Sequence, residues 1–258
     1  MWEEQLEFAK SIARKAGEKI MDYFRSSFDV IIKSDDSPVT SADYASNRLI
    51  IDTIKEKYPE YAILSEENDD DFSRLDAEYV WIIDPLDGTM DFVEKGDGFA
   101  VNIALCHRHE LVVGVIYVPV TEELFYASKG NGSYYLKDGI EKKIHVNDKI
   151  NDLTCLISKH YFNDKEQDAI NRHSDRISKS YPAGASTKAC LIAKGDAEIS
   201  YRYSASTKEW DTAAPQIILE EAGGFILKPD GTPITYNRKD VYNREGFIMM
   251  NRKDNFLL

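Results

Sequence analysis

The segment WIIDPLDGTMDF, residues 81–92, sets two carboxylates three residues apart around a proline. Its apolar start reads as a buried strand that Asp84 closes. Pro85 removes a ladder donor and breaks the strand, so Asp84 and Asp87 can point into one site. Gly88 lets the backbone approach a ligand closely. A helix starting after Thr89 would offer free N–H groups to an anion beside the acids. Hard oxygen ligands next to an anion cradle suit Mg²⁺ bridging a phosphate. Taken alone, D-x-x-D-G is as readily a surface turn. An EF-hand is excluded, because two residues separate Asp84 from Asp87 and no Glu stands at the twelfth position of such a loop.

Three further segments put acids at the ends of elements. LSEE places Glu66 and Glu67 after a short apolar run, and the acidic residues 68–71 beyond them read as solvated loop. EWDTAAPQIILEEAGG places Asp211 ahead of a helix. Pro215 is tolerated in a first helical turn, so Asp211 is expected at or before the helix start, as a simple N-cap in its plainest reading. SPVTSAD places Asp43 in the first turn of another helix, where it complements the helix dipole.

The elements that must carry these residues follow from periodicity. Apolar residues at steps of three and four over residues 2–24 predict an amphipathic helix. A short strand at 30–32 and a polar loop lead to a helix capped near Thr40 or Ser41, which Pro59 stops. Strands are predicted at 61–64, 79–83, 99–106, 111–118, 124–127 and 134–136, with a hairpin across HRHE. The second half alternates: a strand at 153–158, a polar helix, a short helix at 188–193, a strand at 198–203, a helix at 212–222 ended by Gly223 and Gly224, and a strand at 225–227. This is an antiparallel, meander-rich first half and a βα-alternating second half, with a boundary at 145–150. It implies subdomains 1–148 and 149–258.

The chain has 258 residues and a formal net charge of −13, all of it arising in the first 100 residues. An acidic chain is a poor polyanion binder, which excludes nucleic acid as a partner and polybasic docking on a membrane surface. No apolar run reaches a membrane span, and residues 1–10 lack a signal-peptide pattern. Cys106, Cys155 and Cys190 have neither disulfide nor metal spacing, so a cytoplasmic location is expected. The string GDG at 96–98 is too short for a dinucleotide fingerprint.

Together KSDDSPVTSAD, LSEE, WIIDPLDGTMDF followed by FAVNIAL, and EWDTAA followed by EEAGG stand in the order and approximate spacing of one family. Over nearly its whole length the chain resembles the lithium-sensitive, Mg²⁺-dependent phosphomonoesterases: inositol monophosphatases, fructose-1,6-bisphosphatases and 3′(2′),5′-bisphosphate nucleotidases. The resemblance implies an α/β chain with an α+β first half, in a layered αβαβα sugar-phosphatase fold. It implies two or three Mg²⁺ ions held by Glu66, Asp84, Asp87, Asp211 and the Leu86 carbonyl, the third and weaker ion lying near Glu66 and Glu67. Four converging carboxylates would repel strongly without such cations. It further implies that the nucleophile is a metal-activated water, oriented by the Thr89 hydroxyl and Asp43, and that Gly88 and Thr89 N–H groups hold the phosphate. Asp36 helps position the metals in that pattern, while Asp91 is given no role beyond local capping.

The substrate is decided in the second half. Gly184, Ser186, Lys188 and Arg202 are similar to the pattern of the bisphosphate nucleotidases, and so is His160 in LISKH. Inositol monophosphatases typically carry an acid at the position of Arg202 and no Lys at that of Lys188. Fixed cations suit a second phosphate. Ala185 and Lys159 depart from the nucleotidase pattern, which expects Ser and Arg. The implied reaction is removal of the 3′-phosphate of adenosine 3′,5′-bisphosphate, giving AMP. The alternative is an inositol-1-phosphate or sugar phosphatase, and a catalytically silent binding protein on the same fold is a rival from another class. The implied partner is a small phosphorylated substrate. Monomer and homodimer both remain open.

Overall fold

The computed structural model describes residues 1–33 and 38–258, so Asp36 lies outside the described residues. Helix α1 (Glu3–Phe24) turns Ala9, Ile12, Ala13, Ala16 and Ile20 inward at helical spacing. A short antiparallel pair, β1 (Val30–Ile32) and β2 (Pro38–Thr40), leads into α2 (Ser41–Lys57). Thr40 caps α2 in a reciprocal box: its hydroxyl accepts from the Ala42 N–H, and Asp43 accepts from the Thr40 N–H at 2.8 Å.

The larger sheet contains β3 (Ala62–Ser65), β4 (Tyr79–Asp87), β5 (Ala100–His107), β6 (Glu110–Val118), β7 (Glu123–Ser128), β8 (Gly132–Lys137) and β9 (Ile140–Ile144), adjacent in chain order. Pairing is antiparallel from β4 onward, and β3 runs parallel to β4. The predicted meander is therefore present. Strand alternation gives the sheet two apolar faces. Trp81 and Ile83 of β4 face α1 and α2, while Val80 and Ile82 face the opposite layer.

Between β4 and β5 lies the short helix α3 (Thr89–Val93). The smaller sheet is formed by β10 (Leu153–Ser158), β11 (Ile177–Ala183), β12 (Ile199–Arg202), β13 (Phe225–Leu227) and β14 (Phe247–Met250), in the order β11-β10-β12-β14-β13. The first three strands are parallel, and β14 is antiparallel to both its neighbours. Helix α4 (Asp164–Arg172) covers its outer face through Ala169. Helices α5 (Thr187–Ala193) and α6 (Glu209–Glu221) fill the layer between the sheets. The layers run α, β, α, β, α, as expected.

Four elements were not predicted: β2, β9, β11 and β14. Strands β9 and β11 are mostly exposed and lack a continuous apolar pattern. Strand β14 is apolar and fully buried, but its place between β12 and β13 is a tertiary pairing. Because α6 is the shared core layer, its apolar residues govern both sheets. Ile218 is fully buried there, and Ile218→Ala is expected to cost about 2–5 kcal/mol, read as a lower urea midpoint with an unchanged m-value.

Candidate active site

Strand β4 does not end at Asp84, as its sequence suggested. It continues to Asp87 through a bulge, in which Pro85 and Leu86 oppose a single residue of β5. The bulge absorbs the missing proline donor and re-aims the carboxylates. Asp84 is buried, and its Oδ1 accepts from the Leu86 N–H at 3.1 Å. Asp87 Oδ2 accepts from Asn102 Nδ2 at 3.0 Å and from the Ser186 N–H at 2.7 Å. Ala185, in the left-handed region at φ 43°, makes the turn that aims that N–H.

Asp211 comes from the other side of the core. It is the third residue of α6, inside the first turn rather than before it, and Pro215 is accommodated deeper in the helix than expected. Asp211 Oδ2 accepts from the Lys208 N–H at 2.5 Å, so one carboxylate serves both helix and site. Asp84, Asp87 and Asp211 each offer an oxygen within 4.8 Å of one another, a group that could hold a metal ion.

Glu66 lines the same cavity but stands apart from that trio. Lys33 Nζ reaches it at 3.2 Å and Glu67 at 2.6 Å. Sequence reasoning missed Lys33, a base at the end of an apolar run. It also missed Asn102, a polar residue interrupting the apolar run of β5. Residues 68–71 are not uniformly solvated: Asp70 pairs with the buried Arg74 at 2.7 Å. Arg74 also bonds Asn237 Oδ1 and the Arg238 carbonyl, and the buried Glu209 accepts from the Asn237 and Arg238 N–H groups. This network ties the loop after Glu66 to the start of α6.

Asp43 reaches the site through Thr89. Thr89 Oγ1 donates to Asp43 Oδ1 at 3.1 Å and lies 3.3 Å from the Leu86 carbonyl. Gly88 precedes Thr89 with φ 91°, a left-handed conformation that turns the chain out of β4 into α3.

The electrostatics match this geometry. Burial, then the charges of Glu66, Asp87 and Asp211, pushes Asp84 well above the usual carboxylate range. Burial and the charges of Asp87 and Glu66 push Asp211 up to about 8. Burial raises Asp43 to about 6 against the bonds from Thr40 and Thr89, and raises Glu67 to about 7 against Lys33. Lys33 is raised because Glu66 and Glu67 outweigh its own desolvation.

A cavity of 440 Å³ joins this acidic floor to the second half of the chain. Its lining includes His160, Gly184, Ser186, Lys188 and Arg202 with Leu86, Gly88 and Thr89. Lys188 is a buried cation rather than a solvated one. Desolvation lowers it to about 8, opposed by Asp87 and reinforced by Arg202, and its Nζ donates to the Ala185 carbonyl at 2.8 Å. Arg202 donates to the Tyr161 carbonyl at 2.8 Å and approaches Glu166 at 3.4 Å, not Glu198 or Glu209. Ser186 commits its hydroxyl to Asn102 at 2.9 Å. Asp91 is buried and ion-paired with Lys159.

The family model described as the inositol monophosphatase family matches residues 1–254. The chain belongs to this family. Its members are phosphomonoesterases. Among curated relatives, the 3′(2′),5′-bisphosphate nucleotidase CysQ of Escherichia coli K12 is 32% identical over 92% of this chain and 95% of its own length. That of Salmonella typhimurium is 33% identical over 94% and 98%. Among solved structures, CysQ from Bacteroides thetaiotaomicron, described as a bacterial member of the family, superposes with a TM-score of 0.84 at 31% identity, covering 98% of this chain and 99% of that one. The Thermotoga maritima IMPase gives 0.82 at 25%, covering 96% and 92%. Among the described residues, no helix is long and apolar enough to cross a membrane.

The raised carboxylates have a stability consequence. A group at 3.8 when unfolded and about 8 when folded binds more protons in the folded state between those values. Stability of the metal-free protein therefore falls as pH rises across that window. Asp211→Asn removes this contribution while keeping an acceptor for the Lys208 N–H. The variant is expected to gain roughly 1–3 kcal/mol over the parent at pH 8 in chelator, shrinking toward pH 5. Thermal melts at both pH values check this, and a gain independent of pH would contradict it.

Proposed function

We propose that the protein is a Mg²⁺-dependent phosphomonoesterase that removes the 3′-phosphate of adenosine 3′,5′-bisphosphate, giving AMP and phosphate. The observation that carries this reading is one cavity lined both by three clustered carboxylates and by Lys188 and Arg202. The names of the CysQ relatives support it over inositol 1-phosphate, and so does a cation at position 202.

The donor set fits divalent magnesium. Its side-chain ligands are carboxylate oxygens, and the burial and mutual repulsion that raise Asp84 and Asp211 are what a hard dication would offset. Asp84, Asp87, Asp211, Glu66 and the Leu86 carbonyl would hold the ions, with Glu67 at a third and weaker position beside Lys33. When bound, Mg²⁺ supplies Lewis-acid polarisation of the phosphate and charge stabilisation of entering and leaving oxygens.

The chain's own groups do the rest. Asn102 and the Ser186 N–H fix the rotamer of Asp87, and Lys208 fixes that of Asp211. The Thr89 hydroxyl commits its hydrogen to Asp43 and turns its lone pairs to the cavity. It accepts the proton of the attacking water and passes its own toward Asp43 as the new P–O bond forms and the P–O3′ bond breaks. Gly88 and Thr89 N–H groups hold the phosphate, and the leaving 3′-oxygen takes a proton from solvent. Lys188 and Arg202 receive the 5′-phosphate, with Gly184, Ser186 and His160 shaping the wall around the nucleotide.

Three measurements test this. Phosphate release from adenosine 3′,5′-bisphosphate should exceed that from inositol 1-phosphate with Mg²⁺; the reverse preference overturns the assignment. Thr89→Ala should lower kcat by about 10²–10⁴ with little change in KM. Arg202→Met should raise KM for the bisphosphate while sparing kcat. Glutamate at this position is a poor probe because Glu166 lies 3.4 Å from the guanidinium.

A further inference from the structure

One buried charge is left over from this chemistry. Asp91 is 1% exposed, yet it stands outside the trio of Asp84, Asp87 and Asp211. A buried carboxylate needs a partner, and Asp91 has Lys159, whose ammonium donates to its Oδ1. His160 Nε2 lies 3.4 Å from the same oxygen, without a hydrogen-bond partner. All three residues line the 440 Å³ cavity.

The backbone is cut away around this carboxylate. A Cβ on Gly98 or on Gly184 would stand 2.8 Å from Asp91 Oδ2, and one on Gly96 would stand 2.9 Å from Oδ1 and 3.2 Å from Lys159 Nζ. Three glycines from two distant segments thus clear the space that the pair occupies. This accounts for the G-D-G string at 96–98, which matched no nucleotide fingerprint.

Lys159 is the exposed member, with its side chain 40% exposed. Among the described residues, Asp91 is the one hydrogen-bond acceptor it has. An ammonium carries three donors, so two remain for a ligand in the cavity. Tethering a lysine in place reduces the rotamer freedom lost on binding.

We propose that Asp91 is a positioning residue for substrate selection: it anchors Lys159 on the cavity wall so that the ammonium meets the second anionic group of a bisphosphate substrate, in the cavity that Lys188 and Arg202 also line. The inference rests on the bisphosphate reading above and deepens it.

The test compares adenosine 3′,5′-bisphosphate with adenosine 3′-monophosphate, which lacks the second anion. Lys159→Met and Asp91→Asn are each expected to raise KM for the bisphosphate about tenfold with kcat within twofold. The ratio of kcat/KM for the two substrates should fall by the same factor. Lys159→Arg should retain most of the preference. The double variant should be no worse than either single one, because both break one contact. An Asp91→Asn that lowers KM would mean the carboxylate merely repels the substrate, and equal losses on both substrates would mean a structural role; either overturns the proposal. Additive effects in the double variant do so as well. Lys159 is a surface side chain, so Lys159→Met keeps the test decisive if Asp91→Asn folds poorly. A wild type without preference for the bisphosphate overturns the substrate reading itself, whereas an intact preference in both variants overturns only the role given to Asp91.

Discussion

Like charges forced together in a buried place are the constraint on which this molecule turns. Asp84, Asp87 and Asp211 bring oxygens within 4.8 Å of one another, with Glu66 adding to their field. Left to themselves such groups neutralise by taking up protons, which is the direction in which Asp84 and Asp211 are pushed. The fold must supply the free energy that holds them there. It does so with a rigid strand bulge on one side and a helix start on the other, each packed into apolar core.

The rigidity has identifiable sources. Asp84 and Asp87 stand on β4, which pairs with β3 and β5 and has apolar layers on both faces. Asp211 stands on α6, which lies between the two sheets and shares its core with both. The buried network of Asp70, Arg74, Asn237 and Glu209 joins the loop after Glu66 to the start of α6. Lys33 is the nearest thing to a built-in counter-ion, and it satisfies Glu66 and Glu67 rather than the central trio. The central trio is a group that could hold a metal ion.

The cations that line the same cavity are held just as firmly. Lys188 is buried and lowered to about 8, Arg202 is steered by Glu166 and the Tyr161 carbonyl, and Lys159 is gripped by Asp91. Each cation is held by a backbone carbonyl or a carboxylate that fixes its direction. The net charge of −13 therefore says little about the ligand. What matters locally is the cavity lining, where Glu66, Asp84, Asp87 and Asp211 share one space with a small set of oriented cations.

Much of this was legible in the residues. Periodicity located α1 and the meander, and cap and stop signals located α2, because both kinds of signal are local. The strings around Asp84 and Asp211 named the chemistry, because their acids border apolar runs. Tertiary structure alone decided how those acids meet. The bulge at Pro85 and Leu86, the depth of Pro215 in α6, and the place of β14 between β12 and β13 depend on pairing across long stretches of chain. Nothing local announces that Asn102 orients Asp87, that Lys33 bridges Glu66 and Glu67, or that three glycines enclose Asp91 and Lys159. The physical reason is that a side chain's identity is written in the sequence, whereas its burial and its partner are properties of the packed core.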